Sequence, residues 1–240
     1  MRDLMQSVQE NLSFLFVCLL CFVALAALAW LFEKFVIKQR RKLGSARYIA
    51  TLAMCAALGA VLMVLEFPVF FAPSFYGMDF SEVPMLFASF YLGPVGGVVA
   101  ELLKNIIKLF LKGTSTAFVG EFANFVVSCA MVLPASMIYH IRKSKKSAVT
   151  GLAVGTLCMT VFGSAFNAIY LLPKFSVLFG MPMDAIIAMG SAVNSAINSV
   201  STMALFAVAP FNLLKGTLVS VLTFLLYKRI ERVLFKKAPQ

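Results

Sequence analysis

Histidine, tryptophan and charge are what this chain has least of. His140 and Trp30 are the single residues of their types, and only 13% of the 240 residues are charged. A lone histidine beside a basic loop provides no serine–histidine or cysteine–histidine pair and no zinc or haem ligand set. No paired carboxylates stand out with an acid/base partner. No GxxxxGK[ST] stretch exists to cradle a nucleotide phosphate, and there is no inverted repeat of the kind many secondary transporters carry. The five cysteines (Cys18, Cys21, Cys55, Cys129, Cys158) all lie in apolar runs. Cys18 and Cys21 have redox-motif spacing without a thioredoxin-like context, and read as small hydrophobes on one helix face. The residues thus point away from an enzyme, a metal protein and an ATPase; no catalytic residue, metal site or cofactor is expected.

What fills the chain instead is apolar. Hydrophobic residues make up 61% and the mean hydropathy is +0.93, whereas a soluble domain is about 45–50% apolar and about 25% charged. An all-α integral membrane protein follows, and the length suits about six or seven spans of ~20 residues. The net charge of +11 does not imply nucleic acid. Lys34 to Arg47 holds six basic residues, Arg142 to Lys146 four and Lys228 to Lys237 five, together 15 of the 21. Clusters of this kind mark cytoplasmic loops.

Taken in order, Leu12–Phe32 is an apolar run long enough to span. A cleaved signal peptide is the alternative, but Asp3 and Glu10 offset Arg2 before the run and KQRRK follows it. It is read as an anchor helix with the N-terminus outside. The expected organisation is an anchor over 1–37, a cytoplasmic basic linker over 38–47 and a six-helix membrane domain over 48–240. Ala46, Ala50, Ala53, Ala57 and Ala60 form one small-residue face on the next span; such a face serves either contact within the bundle or docking of another subunit. Glu66–Pro84 reads as an outer loop whose six aromatic rings suggest a stacking surface or lid. The stretch after it is improbable in a membrane. Glu101, Lys104, Asn105, Lys108 and Lys112 fall on one face of a helix that is otherwise apolar, and such a stripe must face protein, water or solute. Its inner half is expected to be a seam within the bundle or a contact to a partner, and its outer end, with the GTST turn and GEFANF, to capture or cover a solute. Ala148–Leu172 is expected to span outward and end at Pro173. Residues 174–209 read as an outer loop plus the start of the last helix, and Pro210–Tyr227 as the return inward, leaving the C-terminus cytoplasmic.

Polar residues accumulate at the outer end: Asp79 and Glu82, Lys112 and Thr114, Glu121 and Asn124, Asn167 and Tyr170, Asn212 and Lys215. Interhelical hydrogen bonding accounts for each singly, whereas their convergence at one depth favours a ligand pocket. Asparagine amides match the edge of a heterocycle carrying an N–H between carbonyls, and aromatic faces match a flat ring. With no arginine at this depth, a phosphate is a poor fit. A secondary transporter or a membrane enzyme acting on lipid are the other classes, the latter lacking a catalytic dyad.

The segments LEFPVFF, MDFSEVPMLFASFYLGPVGGVVAELLKN, GTSTAFVGEFANF, FNAIYLLP and PFNLLKG resemble, in order, the riboflavin-specific S component of energy-coupling factor (ECF) transporters. The resemblance implies a six-helix bundle, here preceded by one extra N-terminal helix, that captures riboflavin outside a bacterial cell membrane with high affinity. It implies partners as well: a transmembrane coupling protein and two cytoplasmic ATPase subunits. It assigns Met78, Asp79, Phe80, Asn124, Asn167, Asn212 and Lys215 to the flavin site, and Ala46, Ala50, Ala53 and Ala57 to the contact with the coupling protein. Another vitamin or flat heterocycle, or a stand-alone secondary transporter, is the alternative. Residues 174–209 match no motif of the family.

Overall fold

A computed structural model describes residues 2–38, 45–73, 75–114, 116 and 118–234. Helix α1 (Arg2–Phe32) runs on through a π-helical turn (Glu33–Ile37) and stops at Lys38, which adopts the left-handed conformation. Helix α2 (Ala46–Val64) begins at Ser45, whose Oγ accepts the Tyr48 amide at 3.3 Å, so one orphan donor of the first turn is satisfied. A two-residue antiparallel pair, β1 (Phe67–Pro68) with β2 (Gly77–Met78), folds the following loop into a hairpin. Helices α3 (Glu82–Leu92) and α4 (Pro94–Lys112) are separated by Gly93 alone, at φ 100°, a conformation open to glycine at no steric cost. Then come α5 (Val119–Arg142) and α6 (Lys145–Phe166). A π turn (Asn167–Leu171) carries α6 into α7 (Leu172–Phe179), and α8 (Met183–Ser191) follows. Finally α9 (Val200–Met203) runs through a π turn (Ala204–Val208) into α10 (Ala209–Leu234).

The architecture is an all-α membrane bundle of six (α2, α3, α4, α5, α6–α7 and α9–α10) preceded by α1. Among the described residues five helices are long and apolar enough to cross a membrane: Phe16–Ile37, Ala46–Val64, Val119–Arg142, Lys145–Val177 and Val200–Tyr227. Helix α3 is apolar but short, and α4 carries too much charge along one face. That face is buried. Glu101, Lys104, Asn105 and Lys108 lie inside the bundle, while Ile106 and Phe110 on the opposite side are exposed. Helix α4 is therefore polar inward and apolar outward, the arrangement that hydrocarbon surroundings require. It packs against α1, α2, α3 and α5.

Helices α5 and α6 pack backbone to backbone. A Cβ added at Gly151 or Gly155 would lie 2.6 Å from the carbonyl oxygens of Ala135 and Met131 respectively. Small residues here replace the hydrophobic drive that helices lack in lipid. Helix α1 lays Cys18, Cys21, Phe22, Leu25, Ala26 and Ala29 against α4 and α5. At its far end Glu33 Oε1 accepts the Val95 amide at 3.0 Å, capping α4 from outside its own sequence neighbourhood.

Two expectations are corrected. Pro173 does not end its helix, which continues to Phe179. Residues 174–209 hold the end of α7 and all of α8 where only an outer loop was expected, followed by the first turns of the last helix, as expected. The last helix starts at Val200, ten residues before Pro210. One device explains both prolines. In each case a π turn, closed by an amide bonding five residues back (Leu172 to Asn167, Ala209 to Ala204), immediately precedes the residue before proline. The wide turn shifts the hydrogen-bond ladder where the proline's missing N–H would interrupt it. Most of the basic linker (39–44) and the end of the basic tail (235–240) lie outside the described residues.

Candidate functional site

A cavity of about 210 Å³ opens at the end of the bundle where α4 finishes and α5 begins. Its wall combines the β1–β2 hairpin with α5, the π turn after α6, α7 and the start of α10. Polar groups reach it from several elements. From α10, Lys215 Nζ lies 2.9 Å from Asp79 Oδ2, contributed by the residue after β2. On the opposite side Lys108 of α4 pairs with Glu121 of α5 at 2.6 Å. Glu121 Oε2 also accepts Thr114 Oγ1 at 3.0 Å and Thr116 Oγ1 at 3.3 Å, which ties down the turn between the helices. Both lysines at the wall are thus matched by a carboxylate. At the mouth, Glu66 and Lys112 form a half-exposed bridge at 2.7 Å, of a kind worth at most about 1 kcal/mol.

The asparagines come from the first π turn (Asn167), the start of α10 (Asn212) and α5 (Asn124). Asn167 opens the first turn; its Nδ2 donates to Gly163 O at 2.9 Å and its Oδ1 accepts the Tyr76 hydroxyl at 2.9 Å. Burial of Tyr76 pushes its hydroxyl well above the ordinary tyrosine range, so it is a donor throughout the neutral range. Asn212 lies two residues after Pro210 and is buried against Gly163, where an added Cβ would sit 2.7 Å from Asn212 Nδ2. The π turns themselves touch, which brings these two segments to one wall. Two amide atoms there are buried without a protein partner: Asn124 Oδ1 and Asn212 Nδ2. Buried polar atoms are nearly always hydrogen-bonded, so one free acceptor and one free donor in a cavity wall suit a solute that carries both functions. Flat faces are present too. Phe75 and Tyr76 have centroids 4.6 Å apart, and Tyr76 and Phe211 5.6 Å.

Of the residues expected at a site, Asp79, Asn124, Asn167, Asn212 and Lys215 line this cavity. Met78 is buried in the apolar cluster around Tyr76 and Phe211, and Phe80 packs against the main core and Phe67; neither is in the wall. Glu82 sits behind Lys215, Lys112 is at the mouth, and Tyr170 packs with Phe122 and Phe166 on the side facing α1. Within the aromatic loop, Phe75 and Tyr76 face the cavity, whereas Phe70 is 93% exposed. Sequence reasoning missed Phe175, Phe211, Ser128 and Met159, which also line it. Nothing in an apolar run distinguishes a phenylalanine facing a solute from one facing a helix.

The family model for the substrate-specific component of ECF transporters matches residues 47–227. The chain belongs to this family. Among relatives of this S component, the riboflavin transporter RibU of Staphylococcus aureus is 36% identical over 198 residues, covering 81% of this chain and 97% of RibU. The riboflavin transporter FmnP of Bacillus subtilis is 28% identical over 76% of this chain and 91% of its own. A solved structure of the S component of a bacterial ECF transporter superposes with a TM-score of 0.61 at 33% identity, covering 79% of this chain and 98% of that one. The S-component match begins at α2, so α1 lies outside it.

Proposed function

We propose that this chain is the riboflavin-binding S component of a bacterial ECF importer. The observation that carries the reading is the pair of unpartnered buried amide atoms, Asn124 Oδ1 and Asn212 Nδ2, in a wall that also presents Phe75, Tyr76 and Phe211. An imide edge with N–H between carbonyls satisfies a free acceptor and a free donor together, and the rings cover the faces of a flat heterocycle. Asp79, Asn167 and Lys215 complete the polar wall. Because each wall lysine already has a carboxylate, the site suits an uncharged ring system. The names of the S. aureus and B. subtilis relatives agree with this solute.

In this reading the cavity end faces outside, and the basic clusters and C-terminus are cytoplasmic in a multi-pass cell-membrane protein. The chain has no nucleotide-binding loop of its own, so transport requires a transmembrane coupling protein and two cytoplasmic ATPase subunits. Ala46, Ala50, Ala53 and Ala57 are exposed on α2 and form the docking face for the coupling protein. The test is a thermal-shift panel of vitamins on purified protein. Riboflavin alone is expected to raise the unfolding temperature, because a ligand that binds only the folded state stabilises it. A shift with another vitamin and none with riboflavin would overturn the assignment.

A further inference from the structure

Behind the cavity wall the bundle buries five ionisable side chains in one connected cluster. Lys215 Nζ lies 2.9 Å from Asp79 Oδ2 and 3.2 Å from Glu82 Oε1. Lys104 Nζ lies 3.6 Å from the same Glu82 oxygen and 2.7 Å from Glu101 Oε2. Glu82 Oε1 also accepts Ser128 Oγ at 2.8 Å, and Lys104 donates to Ser81 Oγ at 3.2 Å. Glu82, Lys104 and Glu101 are 0% exposed, and of the five only Asp79 and Lys215 reach the cavity.

Such a cluster is a poor way to stabilise a fold, since desolvating the ions offsets their attraction and apolar residues of similar volume serve as well. Lys215 needs one counter-ion, and Asp79 provides it. Yet Asp79 stands in the loop that forms one side of the cavity, whereas Glu82 stands on α3 and is fixed from three sides. Any solute that draws Lys215 or Asp79 towards itself would leave a lone buried charge if the two had only each other.

We propose that Glu82 is a positioning residue for solute binding, the fixed counter-ion that holds Lys215 at the cavity wall while Asp79 is free to exchange. Lys104 pairs with Glu101 at 2.7 Å and stands farther from Glu82, at 3.6 Å, so the charge of Glu82 is left to Lys215. The inference rests on Lys215 facing the solute, as in the function proposed above.

Riboflavin binding to the purified full chain tests it, read by quenching of flavin fluorescence. Glu82→Gln keeps the shape and removes the charge; it is expected to weaken binding at least about tenfold, the loss residing in the dissociation rate. In a Lys215→Met background the same change is expected to alter affinity by less than about twofold, because Glu82 then has nothing to position. Equal losses in both backgrounds, or an unchanged affinity for Glu82→Gln, would overturn the proposal. If Glu82→Gln does not fold, the paired variant Lys104→Met with Glu101→Gln decides, since it removes one charge of each sign and leaves Glu82 to Lys215. Retained affinity supports the positioning role, and a loss of tenfold or more sinks it. Absence of binding by the unsubstituted chain overturns the proposed function and this inference with it, whereas an affinity unchanged by Glu82→Gln overturns this inference alone.

Discussion

At Gly163 the missing side chain makes the space that Asn212 occupies, and the same residue's carbonyl holds Asn167. Gly163→Val is therefore expected to displace the Asn212 amide and weaken riboflavin binding by at least about tenfold, or about 1.4 kcal/mol, with helix content unchanged. Titration of the variant with circular dichroism alongside checks both halves. Tyr76 offers a second handle. Tyr76→Phe leaves Asn167 Oδ1 buried and unpaired, which costs about 1–3 kcal/mol and should lower the unfolding temperature. The pH dependence follows from the direction of the Tyr76 shift. Its raised value means the protonated hydroxyl is the form the fold favours, so its contribution is intact below the ordinary tyrosine pKa and lost only as pH rises through the raised one. The wild-type minus Tyr76→Phe difference in stability should accordingly stay flat from neutral to mildly alkaline pH, and unfolding measured across that range tests it.

At the scale of elements, α1 lies outside the family match yet is docked rather than loose. Glu33 caps α4 through the Val95 amide, where the helix dipole favours a carboxylate. Glu33→Ala should cost on the order of 1 kcal/mol, seen as a lower unfolding temperature, while riboflavin affinity moves less than twofold because, among the described residues, none of α1 lines the cavity. The apolar runs of α1, α2, α5 and α6 were legible from length and composition. So was the stripe on α4, since charged residues in a membrane chain have few places to point. The π turns were not. Pro173 reads locally as a stop, and only the π turn ahead of it, packed against the one ahead of Pro210, shows why its helix continues. The last helix is expected to start before Pro210, but neither its first residue, Val200, nor the wide turn that joins α9 to α10 is legible in the sequence.

Over the whole molecule, binding and coupling are assigned to different surfaces. Ala46, Ala50, Ala53 and Ala57 are exposed on α2 while Ala60 is buried, so the alanine periodicity divides between an open face and a core position. Leucine at both Ala53 and Ala57 is expected to abolish riboflavin uptake by cells while leaving binding to the purified chain unchanged. Wild-type uptake would assign the face another purpose. The polar half of the cavity was legible because Asp79, Asn124, Asn167, Asn212 and Lys215 are conspicuous among apolar neighbours. Its aromatic half was only partly so: Phe175 and Phe211 look like any other membrane phenylalanine until the fold places them. The division of labour between Lys215, which meets the cavity, and Glu82, which stands behind it, depends on distances that no spacing in the sequence encodes.

The central claim is that this cavity holds riboflavin. Equilibrium titration of riboflavin with the purified chain in detergent, followed by flavin fluorescence, tests it most directly. Saturable quenching at one flavin per chain, weakened by Asn212→Ala and by Lys215→Ala, is the result expected. Fluorescence that does not change as protein is added would contradict it.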